Sequence, residues 1–445
     1  MKPTLFFLLI ITSFKSMATD AVIGYYPEWM KSNVPASAID LGRLTHVMHA
    51  FACPTADGQI VHGANFLYPA LNERIHAQGR IILLALGGAS GSAEFSPMAA
   101  DSISRKAFAA NALQFCLQHH YDGIDLDWEY PATASDRQNL TLLVNAIRAE
   151  FEKLMRPQPL LITMAVTASD WAGRWIDYDE LTQYIDWFGC MTYDFHGDWT
   201  AQAGHNSALY ASSGKQHGSV DQGFRYLNNT RGVPLDKIVI GVPFYGRQFN
   251  ASELYGATTG SCSEHQYREI VTFIQAGWTR YWDDVAKVPY IINPEQSKFI
   301  SYDDTLSVRL KSEYAIEKEI KGVMIWALGQ DRLDGRQPLL EAMVEPFLNR
   351  AAVGSRADRA NFLLSNHPNP FNAATTISFY VPQREQVSLQ VYDIQGRLIA
   401  SLKKGILQEG AYDIQFVPPH LSSGIYLCRL HSPTFSEILK MTYCK

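Results

Sequence analysis

The sequence predicts an α/β protein: a (β/α)8 barrel of the TIM type with a small α+β insertion, followed by a C-terminal all-β sandwich. Three observations carry that prediction. Eight short apolar runs recur between residues 21 and 330, amphipathic stretches separate most of them, and the chain changes character after Arg350. A length of 445 residues also exceeds what one compact domain usually needs.

The eight runs span residues 22–26, 46–52, 81–88, 121–130, 160–169, 187–195, 238–247 and 322–330. Each is nearly continuous in apolar residues and bounded by Gly, Pro or polar residues, as strands of a parallel sheet covered on both faces are. Stretches 104–120 and 136–154 have the apolar spacing of covering helices. Eight such units point to a closed barrel, with its site at the C-terminal ends of the strands. A doubly wound open sheet is the alternative, but no GxGxxG turn follows the first run. The connection 248–321 is much longer than the others and holds a strand-like piece at 298–304. A small α+β insertion is expected there, standing over the strand ends as one wall of a cleft.

The two ends of the chain read differently. Lys2, the apolar run Leu5 to Ile11 and the small residues around Ala18 have the pattern of a secretory signal over residues 1–18, too short to span a bilayer. Residues 19–350 then form the barrel unit, 351–360 a linker of small and polar residues, and 361–445 the sandwich. In that last segment, strand-like alternation appears at 375–381, 387–394, 396–402, 411–417 and 424–430, with turn signals between.

Composition narrows the partners. Lys and Arg number 38 against 44 Asp and Glu, a net charge of −6, so no cationic excess exists to neutralise phosphates and nucleic acid is not an expected partner. No later stretch is apolar and long enough for a membrane helix, so no membrane insertion is expected, and the chain reads as a soluble monomer. Six cysteines are scattered without a CxxC pair, which indicates neither a metal site nor a dense disulfide framework. No cofactor is expected. The 22 Tyr, 22 Phe and 9 Trp suit the flat faces of sugar rings, although core packing is the commoner use of any one of them.

The sharpest feature is the run 122–129, Asp-Gly-Ile-Asp-Leu-Asp-Trp-Glu. Side chains alternate along a strand, so Asp125, Asp127 and Glu129 share one face while Ile124, Leu126 and Trp128 share the other. Neighbours on the acidic face stand roughly 6–7 Å apart along the strand. Carboxyls crowded inside a barrel cannot all ionise cheaply, so at least one should keep its proton near neutrality. A protonated carboxyl beside an ionised one is what glycosidic cleavage requires. Calcium binding is the competing use, but the spacing of a calcium loop and its glycine are absent.

Residues 121–131 resemble the signature of glycoside hydrolase family 18, the chitinase family. Segments 24–29, 191–197, 241–247, 301–304 and 325–331 are similar to other family motifs in the same order, so the resemblance covers about residues 20–348. The long connection resembles the family's insertion domain. The resemblance implies roles position by position. Glu129 would protonate the leaving oxygen, Asp127 would orient the substrate's 2-acetamido group, Asp125 would share a proton with Asp127, and Tyr193 would bond the acetamido oxygen. Asp194 stands beside Tyr193, Trp326 would floor the site, and Tyr25, Trp29, Phe51 and Arg247 would line it. It also implies retention of configuration with the acetamido oxygen as nucleophile, the substrate-assisted route this family uses. The substrate would be chitin or chitooligosaccharides.

Two positions depart from the family pattern. Ala85 stands where a hydroxyl usually supports the buried acids, and Ala89 where an aromatic usually supports the leaving-group side. Segments 365–372, 391–397, 423–430 and 440–445 resemble the C-terminal sorting domain of type IX secretion, which implies secretion machinery as a partner and delivery to the cell surface or medium. A generic sugar-binding or spacer sandwich is the alternative for the tail. For the barrel, the alternatives are an endo-β-N-acetylglucosaminidase acting on glycan cores and a chitinase-like lectin; lectins of that kind typically lose the acid that Glu129 retains.

Overall fold

The structure is a computed structural model describing residues 20–445, apart from residues 155, 157, 213, 215, 358–363, 382–383, 409, 419–420 and 433–435. The expected signal over 1–18 therefore lies outside the described residues. The chain divides into two units, one ending at Phe347 and one beginning at Leu348.

Eight parallel strands close the barrel of the first unit: Ala21–Pro27, His46–Pro54, Ile81–Gly87, Gly123–Asp127, Leu161–Thr167, Trp187–Met191, Ile238–Pro243 and Gly322–Trp326. The first strand pairs with both the second and the eighth, which closes the ring. Alternation sorts the side chains. Val22, Val47, Ile82, Leu84, Ile124 and Ile162 pack under the helices. Ile23, Tyr25, Met48, Leu83, Ala85 and Met324 fill the barrel interior.

The helices follow from local chemistry. Helix Ser102–His119 starts where Asp101 accepts the amides of Ile103 and Ser104, and His120 ends it in the left-handed region. Helix Ala134–Phe151 is capped by Thr133 and buries Leu140, Leu143, Val144, Ile147 and Phe151, a stripe at helical spacing.

The insertion departs from its expected bounds of 248–321. Its antiparallel sheet has the order Ser263–Gln266, Tyr245–Phe249, Phe299–Ser301, Val288–Ile292, Thr279–Asp283, so it begins before residue 248, directly after the seventh barrel strand. Helix Tyr267–Gln275 packs Ile270 against Ile291 and Ile300 of that sheet. The stretch 305–317 is not insertion but a barrel helix, Thr305–Glu317, capped by Asp304 and burying Val308 and Ala315 in the main core.

The second unit is a sandwich. A three-stranded sheet (Leu364–His367, Thr375–Val381, Gly410–Phe416) and a four-stranded one (Leu398–Leu407, Glu385–Asp393, Gly424–His431, Ser436–Tyr443) are both antiparallel. They share one core that includes Ile377, Phe379, Leu389, Val391, Cys428 and Met441. The first and last strands were not expected from the sequence pattern. Residues 351–357, expected as linker, instead continue helix Pro338–Ala357, although Gly354 is a poor helix former. Residues 358–360 of that expected linker lie outside the described residues. Among the described residues, no helix is long and apolar enough to cross a membrane.

Candidate active site

The fourth barrel strand carries the acids, but it ends at Asp127, so Glu129 stands two residues past the last paired position rather than on the strand itself. Asp125 and Asp127 point inward and are buried, while Trp128 turns outward and stacks on Phe95 at 5.3 Å. The chain beyond the strand is held by Ser92, whose hydroxyl donates to the carbonyls of Gly88 (2.9 Å) and Asp127 (3.0 Å) and accepts the amide of Glu129 at 2.8 Å. Gly87 is required beside it. Its φ is +109°, and a Cβ there would lie 2.3 Å from the Asp127 carbonyl oxygen.

Asp125 sits in register with Ala85 on one side and Thr163 on the other. The hydroxyl expected at position 85 is absent, yet Thr163 Oγ1 donates to Asp125 Oδ1 at 2.5 Å and Tyr25 donates to Oδ2 at 2.6 Å. Burial still outweighs those bonds and raises the Asp125 carboxyl above its ordinary range. Asp127 is pushed well above its range, first by burial and then by the charges of Glu129 and Asp125. Its Oδ1 is buried without a hydrogen-bond partner. Glu129 is raised as well, by burial and by the like charge of Asp194, against a lowering bond from Tyr130. The three acids thus hold their protons more tightly than free carboxyls do.

Tyr193 follows the sixth strand and lies near these charges. Burial, then Asp127, Glu129 and Asp194, raise its phenol well above the ordinary value. A Cβ at position 241 would lie 2.6 Å from the Tyr193 ring, so the glycine of the seventh strand makes room for it. Asp194 accepts Tyr245 OH at 2.8 Å and Arg247 Nε at 2.7 Å on its Oδ1. Tyr245 and Arg247 both belong to the insertion sheet, so the insertion reaches into the site as a wall.

The aromatic residues close the other side. Trp326, at the end of the eighth strand, stacks on Phe51 at 5.6 Å and meets Tyr25 edge-on at 5.7 Å and Trp29 at 6.2 Å. The contacts therefore bring all ten residues singled out in the sequence together at this end of the barrel, with Trp29 exposed at its edge. Sequence reasoning missed Ser92, Thr163, Tyr245 and Trp171. Thr163 was legible in principle from the inward phase of the fifth strand. Ser92 sits in a loop, where no periodicity announces it. Trp171 is 66% exposed and meets Tyr130, the neighbour of Glu129, edge-on at 5.0 Å. No group of three or more His, Cys, Asp or Glu among the described residues is placed to hold a metal ion.

Acid cleavage of an acetal needs a carboxyl that keeps its proton near neutrality, in a mouth shaped for a flat ring. Carboxyls of raised pKa at the C-terminal end of a barrel, beside a cluster of aromatic rings, are the arrangement a glycoside hydrolase needs. Residues 21–331 match the profile of Glycosyl hydrolases family 18, and the chain belongs to that family. Residues 365–442 match the secretion system C-terminal sorting domain, which assigns the chain to the cell surface or exterior. Among characterised relatives, the chain is 30% identical over 406 residues to Chitinase A1 of Niallia circulans, covering 72% of this chain and 58% of that one. Among solved structures it superposes on the Ostrinia furnacalis Group IV chitinase in complex with allosamidin with a TM-score of 0.68, at 29% identity, covering 74% of this chain and 99% of that one. A family 18 N-acetylglucosaminidase from Paenibacillus barengoltzii superposes with a TM-score of 0.67, at 31% identity, covering 73% and 99%.

Proposed function

We propose that the protein is a secreted chitinase that cleaves β-1,4 links between N-acetylglucosamine units, with retention and with Glu129 as general acid. In the first step the acetamido oxygen of the substrate attacks the anomeric carbon while the Glu129 proton passes to the leaving glycosidic oxygen. The C–O bond to the leaving sugar breaks, and the positive charge resides on a cyclic oxazolinium ion. In the second step a water attacks the anomeric carbon, and the Glu129 carboxylate takes its proton. Ring opening returns the acetamido group and leaves the β-anomer.

The observation that carries this reading is the orphan Oδ1 of Asp127, buried beside the acid with no protein donor. A buried acceptor without a partner costs roughly 1–3 kcal/mol, and the acetamido N–H of a bound sugar is a donor that would recover it. Asp127 would then orient the nucleophile and stabilise the developing charge, with Asp125 behind it and the Tyr193 hydroxyl on the acetamido oxygen. Trp326, Phe51, Tyr25 and Trp29 would hold the glycone side. Trp171 would offer a surface on the leaving side, where Ala89 offers none. The tail would hand the chain to the type IX secretion machinery.

The test is release of reducing sugar from colloidal chitin against release of glycan from a glycoprotein. Activity confined to the glycoprotein would overturn the reading in favour of an endo-β-N-acetylglucosaminidase. Likeness to the N-acetylglucosaminidase supports a second reading, stepwise removal of single sugars. Monomer alone from the first turnovers on a chitopentaose would select it.

A further inference from the structure

We infer that Asn206 is a positioning residue for Asp194, and that through it the docking of the insertion sheet sets where the Asp194 carboxylate stands in the site. The inference rests on the reading of Glu129 as the acid.

Asp194 lies three residues past the end of the sixth strand, with φ of +58°, a left-handed conformation uncommon for a residue with a side chain. No strand partner holds it there. Its amide instead donates to Asn206 Oδ1 at 3.0 Å, and the next amide, Phe195, donates to the Asn206 carbonyl at 3.1 Å. One residue thus takes both amides of the turn.

Asn206 is itself fastened from the insertion. It is fully buried; its amide donates to Ser301 Oγ at 3.1 Å and its Nδ2 to the Tyr245 carbonyl at 3.4 Å. Ser301 and Tyr245 stand on neighbouring strands of the insertion sheet. Tyr245 also gives its hydroxyl, and Arg247 its guanidinium, to the Asp194 carboxylate. The sheet therefore holds Asp194 twice, through its backbone by Asn206 and through its side chain by Tyr245 and Arg247.

The flanking residues lock the strap in register. Buried His205 sits 3.1 Å from Asp283 Oδ2 and 3.2 Å from Ser301 Oγ. Ser207 donates to the Thr192 carbonyl at 2.6 Å and accepts from Lys311 at 2.7 Å, and Lys311 is paired with buried Asp303 at 2.7 Å. Lys311 lies on helix Thr305–Glu317, so this pair ties Ser207 to that helix as well as to the end of the sixth strand.

The consequence is electrostatic. Asp194, Asp127, Tyr130 and Tyr193 are the titratable groups that face Glu129, and the charge of Asp194 helps keep the acid protonated. A displaced Asp194 should let Glu129 ionise at lower pH. In Asn206→Ala we expect kcat to fall about tenfold with KM changed less, and the alkaline limb of the kcat profile to move to lower pH. Ser301→Ala, a milder change on the insertion side, should move the same limb in the same direction by less. A merely structural role would lower the melting temperature and the active fraction but leave the limb in place. If Asn206→Ala does not fold, Ser301→Ala alone decides. An unmoved limb in the folded variants would overturn the inference. Glu129→Gln in the same assay separates the two readings. If that variant stays active, the acid is misassigned. If it is inactive and the limb is unmoved in the strap variants, only the role of Asn206 fails.

Discussion

Tyr25 donates its hydroxyl to Asp125 Oδ2 at 2.6 Å, joining the first and fourth strands across the barrel interior. That bond works against burial, which raises the Asp125 carboxyl. In Tyr25→Phe the carboxyl should rise further, so the acidic limb of the activity profile should move to higher pH and kcat/KM should fall roughly tenfold. Ala85→Ser places a hydroxyl in register with Asp125 and should move the limb the other way. Profiles of both variants on a soluble chitooligosaccharide check the opposite signs.

Glu129→Gln keeps the size of the acid and removes its proton. Turnover should drop about 10²-fold or more while oligosaccharide binding persists, and the alkaline limb should disappear with the titrating group. Binding by calorimetry beside steady-state rates tests both halves. Near-normal turnover would show that another group is the acid.

Substrate assistance predicts that sugars lacking the acetamido group are inert. Cellulose oligomers and fully deacetylated chitosan should give no reducing ends. Tyr193→Phe should cost about 1–3 kcal/mol in transition-state stabilisation, and Asp127→Asn more, because it removes charge. The first product seen by NMR should be the β-anomer. An initial α-anomer, or a covalent sugar trapped on Asp127, would exclude the route.

Asp331 gives a stability test independent of catalysis. Its buried carboxyl accepts the amides of Leu339 and Leu340, the first residues after Pro338 in the last helix of the barrel unit, yet burial raises it from 3.8 to about 6. A raised acid binds its proton more tightly in the folded state. Its contribution is therefore greatest below pH 4 and is lost as pH rises from about 4 to about 6. The loss is on the order of 3 kcal/mol. Asp331→Asn should remove that decline, so the stability difference between variant and parent should change across this window and stay flat above it. Urea titrations at several pH values measure it.

Removal of residues 361–445 should leave hydrolysis of soluble oligomers nearly intact, because the acids, the tyrosine and the aromatic floor all come from the barrel unit. Export from the native host should fail. A well-folded truncation without activity on those oligomers would make the tail part of the catalytic unit.

The acids were legible because they lie on or just beyond a strand whose period of two needs no partner to be read: Ile124 and Leu126 face the helices, so Asp125 and Asp127 face inward. Nearly continuous apolar runs marked the eight barrel strands, and alternation marked five of the seven tail strands. The other two, Leu364–His367 and Ser436–Tyr443, carry weaker alternation and depend on neighbours for their pairing. Helix bounds near 305–317 were obscured because the length of the connection and one strand-like piece marked the insertion, and neither says where one packed unit stops.

What could not be read are the bonds that hold the acids in place. Thr163 and Tyr25 meet Asp125 from strands 38 and 100 residues away, and Ser92 reaches Glu129 across 37. Asn206 meets Asp194 only because the insertion sheet docks where Ser301 and Tyr245 can hold it. Alternation and composition act over a few residues and settle which face a side chain takes. Which distant hydroxyl or amide it then meets depends on how the barrel closes and where the insertion sheet docks, and those are set by packing across the whole unit.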